Sequence, residues 1–218
     1  MLQKQNENRK GLFFLAYLGL FFLSWTSIIW IMKQVHLGDL ESVSSVMLKV
    51  LIWFFPVYIY LKKVDQADPW QFLKLKGSFH HGLRRLIIPF AFLSLYFVMI
   101  ILLNGGEVDF EWSFSNFFQS VILAGLVEEI VFRGFILQTL NRYMTFVPAN
   151  VITAVLFVCI HFVYWINADL PGEFLLVRSL QVFIVGFIFG FVFRRGNSLW
   201  TVVLFHSFYN LGVLLIGN

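Results

Sequence analysis

The chain has 218 residues, of which 59% are hydrophobic and 13% charged, with 28 phenylalanines and a mean hydropathy of +0.80. Soluble domains are about 45–50% apolar and about 25% charged, so these figures exclude intrinsic disorder and argue against a soluble globule. One cysteine, Cys159, leaves no internal disulfide, and a net charge of +4 with no clustered basic face gives no reason to expect nucleic acid as a partner.

A membrane helix needs roughly 20 mostly apolar residues to cross a core of about 30 Å. Seven stretches meet that need: 12–32, 43–61, 83–103, 114–140, 147–166, 175–193 and 198–216. The first is about twice as long as the apolar part of a signal peptide and has no small-x-small cleavage pattern after it, so it reads as a retained helix. Between the second and third stretches, residues 66–82 mix Trp70, Phe72, Leu73 and Leu75 with Lys74 and Lys76. Aromatic and basic residues together predict a short amphipathic piece at the headgroups; His80 and His81 within it read as solvated side chains. Gly186 and Gly190 in the sixth stretch form a GxxxG that predicts close helix packing. The expected fold is all-α, a polytopic transmembrane bundle of about seven helices with its active site buried inside.

Loop charges set an orientation. With the N-terminus inside, 12 of the 16 Lys and Arg fall in inner segments, two (Lys33 and Arg178) in outer ones, and Lys49 and Arg133 within helices. By the positive-inside rule the N-terminus is then cytoplasmic and the C-terminus outside. The protein is expected to be integral to a bacterial plasma membrane, with the lipid bilayer as its first partner.

An ionisable side chain inside a membrane costs several kcal/mol and marks a functional site by default. Here the fourth stretch holds Glu128, Glu129 and Arg133, the fifth His161, and the seventh His206 and Asn210. Glu129 and Arg133, four residues apart, share a helical face and pair well, which reads as a structural ion pair. Glu128 is turned about 100° away and is left to face a cavity. His206 and Asn210 also share a face. Counted at 1.5 Å per residue, these groups on three helices fall in one slab about 10 Å thick.

The runs EEIVFRG from Glu128, FVCIH from Phe157 to His161 and HSFYN from His206 to Asn210 resemble the motifs EExxxR, FxxxH and HxxxN of the CPBP family of intramembrane proteases. That family includes type II CAAX prenyl endopeptidases and bacterial Abi-type proteins. The resemblance covers roughly residues 114–216, so residues 1–113 read as an N-terminal region of three helices and 114–218 as a catalytic helix core. It implies an endopeptidase that cuts a membrane-associated peptide or protein. Glu128 and His161 would activate a water, His206 and Asn210 would stabilise the oxyanion, and Phe157 would support the motif. Cys159 near this site reads as a small buried hydrophobe.

No cofactor is required by this reading, since HExxH is missing. Were zinc bound, Glu128, His161 and His206 would be its ligands. Serine, aspartyl and site-2 proteases fit less well: Ser198 lacks flanking glycines and no aspartate lies in a predicted helix. The rival is a non-proteolytic immunity or regulatory protein that binds a regulatory membrane partner.

Overall fold

The computed structural model describes residues 2–34, 47–77, 79–168 and 170–216. Of these residues 83% are helical, and among them no strand occurs. The long first helix, α1 (Leu2–Gln34), is followed by α2, a π-helical turn Val50–Phe54 that runs on into Phe55–Lys63. Two short helices, α3 (Pro69–Phe72) and α4 (Phe79–Arg84), lead to α5 (Ile87–Leu103). The fourth predicted stretch is a continuous rod, α6, built from Phe114–Phe117, Phe118–Leu123, Ala124–Glu129, Ile130–Leu137 and Gln138–Leu140. Three more helices complete the bundle: α7 (Phe146–Asn167), α8 (Gly172–Gly196) and α9 (Leu199–Leu215). Each of the seven predicted stretches thus coincides with a helical rod; positions 43–46 lie outside the described residues.

Three spans are long and apolar enough to cross a membrane, Gln5–Gln34, Phe146–Asn167 and Gly172–Gly196. The apolar helices α5 and α9 have 17 residues each, about 25 Å of rise. The outward faces of α5 and α8 are apolar: Phe92, Leu102 and Leu103 on α5 and Leu176, Val177 and Leu180 on α8 are all exposed. Water would not tolerate so broad an apolar belt, whereas lipid requires one around helices that satisfy their own backbone.

The core is aromatic. Phe14, Tyr17 and Phe21 fall on one face of α1 and pack on Trp53, Phe132 and Phe135. Edge-to-face geometry, such as Tyr17 against Phe135 at 4.9 Å and 82°, adds about 0.5–1.5 kcal/mol per pair beyond burial. The Trp25 indole donates to the Ile160 carbonyl at 3.2 Å, tying α1 to α7. The first helices and α6 therefore share one core.

Local chemistry sets the ends. Ser113 caps α6 by accepting from the Asn116 amide at 3.1 Å. Asn197, left-handed at φ 52°, ends α8, as Asn tolerates that region better than most residues. The segment before α4 is woven into this end of the bundle. Leu73 is buried, the Trp200 indole donates to the Leu75 carbonyl at 3.0 Å, and Lys74 Nζ donates to Asn197 Oδ1 at 2.7 Å. Trp70 stays exposed. Asp68 caps α3 and accepts from Lys76 at 2.7 Å, a hydrogen bond that holds the Asp68 carboxyl below the usual carboxylate range.

Candidate active site

Two π-helical turns, Phe118–Leu123 and Ile130–Leu137, bracket the α6 segment that carries Glu128 and Glu129. Such turns offset a helix face by an extra residue and recur at functional sites. Here α6 also lies close to α9, because a Cβ at Gly125 would stand 2.5 Å from Ser207 Oγ.

Glu129 and Arg133 are completely buried, and Arg133 Nη1 donates to Glu129 Oε1 at 2.6 Å. The other terminal nitrogen donates to the Gly186 carbonyl at 2.9 Å. Phe157 and Phe189 cover the guanidinium, their ring centroids 4.5 and 5.2 Å from its carbon. A buried charge needs such partners, because an unpaired one costs several kcal/mol. The predicted ion pair is present, and it extends further than its two members. His206 Nδ1 lies 2.8 Å from the same Glu129 Oε1. The carboxylate accepts there, so His206 Nδ1 carries a proton and Nε2 faces away from Glu129.

His206 Nε2 lies 3.9 Å from Glu128 Oε2. That is too long for a hydrogen bond and suits two groups that share a small bridging molecule. The Glu128 side chain is 17% exposed where that of Glu129 is fully enclosed. His161 is half-buried, with Nδ1 2.8 Å from the Phe157 carbonyl. A carbonyl only accepts, so His161 Nδ1 is the N–H and neutral Nε2 keeps its lone pair. Glu128, His206 and Arg133 all lie within electrostatic reach of His161.

Three of the four predicted catalytic side chains thus converge: Glu128, His161 and His206. Asn210 stands one turn along α9 from His206, and its amide donates to the Ser120 carbonyl at 2.8 Å. Phe157 touches both Arg133 and His161, the latter at 4.7 Å between centroids. Gly186 and Gly190 do serve close packing. A Cβ on Gly186 would reach 3.1 Å from Phe157 Cδ1, and one on Gly190 would collide with the Asn150 amide. Cys159 corrects its expectation. It is exposed, because two residues of helix turn it about 200° from buried Phe157.

Among the described residues no group of three or more His, Cys, Asp and Glu is placed to hold a metal ion. An apolar groove of about 620 Å³ along α6, between Phe54, Trp70, Leu126 and Trp200, is lined by none of the four predicted residues.

Sequence reasoning missed Phe189, Gly186 as an acceptor, and Ser120. Phe189 is one of 28 phenylalanines with nothing to single it out, while Gly186 was visible only as a packing glycine.

Residues 110–212, from just before α6 to the last turns of α9, match the family model described as type II CAAX prenyl endopeptidase Rce1-like. This region is similar to the Rce1-like family. It holds every residue of the three motifs and the whole Glu129–Arg133–His206 network, and it supports a membrane endopeptidase of the CAAX-protease type. No curated protein and no solved structure matches the chain. Helices α1 to α5 precede the Rce1-like region and supply the aromatic wall behind it.

Proposed function

We infer that the chain is an intramembrane endopeptidase in which the side chains of Glu128, His161, His206 and Asn210 hydrolyse a peptide bond of a membrane-associated peptide or protein. One observation carries this reading. Within the region matched by the Rce1-like model, Glu128 Oε2 stands 3.9 Å from the outward Nε2 of His206, beyond hydrogen-bond distance, and the carboxylate lies within electrostatic reach of His161.

Glu128 takes a proton from a water, and the hydroxide adds to the carbonyl carbon of the scissile bond. His161 Nε2, oriented by the Phe157 carbonyl, holds or relays that proton. As an imidazolium, His206 donates from Nδ1 to Glu129 and from Nε2 toward the oxyanion. The charges of Glu128, Glu129, Arg133 and His206 sum to zero before the proton leaves water, and once Glu128 holds it the oxyanion's charge restores that balance. Asn210 adds an amide hydrogen from the next turn, and the proton taken from water goes to the amine as the C–N bond breaks. Positioned proton transfer contributes about 10²–10⁴-fold, and an oxyanion donor in a dry site about 10²–10³-fold. No step here calls on a metal or other cofactor. By the distribution of Lys and Arg, the end that holds Lys74, Arg85 and Arg195 faces the cytoplasm of a bacterial cell.

The purified chain in liposomes tests this with a prenylated CAAX peptide and its unprenylated form as probes. Cleavage that withstands a chelator and vanishes in Glu128→Ala is expected. Chelator-sensitive cleavage would overturn the metal-free route, and cleavage retained in Glu128→Ala would overturn the assignment of the base.

A further inference from the structure

Far from the glutamates, three arginines meet where two apolar helices end. Arg194 and Arg195 close α8, and Arg85 stands two residues before α5. Small residues bring them together: a Cβ on Gly82 would lie 2.8 Å from the Gly196 carbonyl oxygen, so α4 is pressed onto the end of α8. Arg85 Nη1 then donates to the Arg195 carbonyl at 3.3 Å, and Arg195 Nε returns a hydrogen bond to the Arg85 carbonyl at 3.2 Å. This exchange ties each arginine side chain to the other's backbone and keeps both at the junction of α4 and α8. Arg194 lies over the Phe146 ring at 4.3 Å.

Three like charges gathered around one groove repel one another and are relieved by a bound anion. Among the described residues no ion pair supplies a carboxylate to Arg85, Arg194 or Arg195. The same arginines rim an open groove of about 780 Å³ whose wall is apolar, chiefly Pro89, Phe187, Ile188 and Phe191. Positive charge at the mouth and an apolar wall running into the membrane span match one amphiphile. The charged end also lies at headgroup depth, because α8 rises about 37 Å over its 25 residues.

We propose that this groove is a binding site for one anionic phospholipid, its phosphate held by Arg85, Arg194 and Arg195 and an acyl chain lying along Phe187, Ile188 and Phe191. Basic pockets between membrane helices bind acidic headgroups on this principle. The site is independent of the peptidase reading.

Native mass spectrometry of the full chain, exchanged into phosphatidylglycerol or phosphatidylcholine, tests the proposal. The wild-type chain retains one phosphatidylglycerol in preference to phosphatidylcholine. Each arginine near the surface contributes about fivefold to such binding, so Arg194→Gln lowers retention about fivefold and Arg85→Gln with Arg194→Gln about 25-fold. Lys62→Gln with Lys63→Gln, basic residues outside the groove, changes it less than twofold. An equal loss in that pair would show diffuse attraction and overturn the proposal. Because the Arg85 exchange also joins two elements, Ile188→Trp provides a second test that keeps all three charges. It fills the groove and releases the lipid, and undiminished retention there would refute the site. Inorganic phosphate alone does not displace the lipid at millimolar concentration; full displacement would mean a phosphate site without an acyl groove.

Discussion

Glu128 and Glu129 are neighbours in sequence and opposites in setting. Glu129 is enclosed and accepts from both Arg133 and His206 on one oxygen. Glu128, one residue back and about 100° around α6, keeps partial exposure and stands 3.9 Å from His206 Nε2. The difference teaches how one helix can hold two carboxylates in a membrane. One is held through a single oxygen by Arg133 and His206, its other oxygen buried without a partner; the other, in the proposed reaction, acts on water. His206 joins the two settings through its two ring nitrogens.

The largest expected effect separates the glutamates by readout. Glu128→Gln should cut turnover about 10²–10⁴-fold, the range for a lost general base, at unchanged thermal stability. A melting curve and a cleavage rate on the same preparation check this. Arg133→Ala should do the reverse. It strands the buried Glu129 carboxylate and costs about 3–5 kcal/mol of stability, seen as lost folded yield in membranes. Normal abundance of that variant would break the comparison.

Smaller changes sharpen it. Gly186→Ala presses a methyl against Phe157 and Arg133 and should cost about 1–3 kcal/mol by overpacking, read as a lower melting temperature. Asn210→Ala should slow cleavage about tenfold, short of the 10²–10³ typical of a full oxyanion donor. The reason is that one amide hydrogen is already committed to the Ser120 carbonyl. A split with turnover down and KM unchanged would fit that role.

Much of the fold was legible because lipid enforces it: apolar runs of spanning length can hardly be anything but helices. The Glu129–Arg133 pair was legible too, since both lie on one helix four residues apart. What escaped depends on distance along the chain. His206 reaches Glu129 across 77 positions, and no helical spacing encodes that. The π turns in α6 lie where that helix meets α9 and leave no period of their own in so uniformly apolar a run. The segment at 66–82 reads as an amphipathic strip by composition. Only the hydrogen bonds from Trp200 and Lys74 reveal that it is anchored to the end of α8 and the start of α9.

In the proposed reaction Glu128 carries the chemistry while Glu129 holds Arg133 and His206 in place. Quantitative mass spectrometry of membrane peptides, from cells holding the wild-type chain or Glu128→Gln at matched abundance, tests it most directly. The account predicts uncut precursors accumulating and their product peptides vanishing in the variant, with the protein itself folded and inserted. Identical membrane peptides in the two strains would contradict it, and would leave the chain to act by binding a partner.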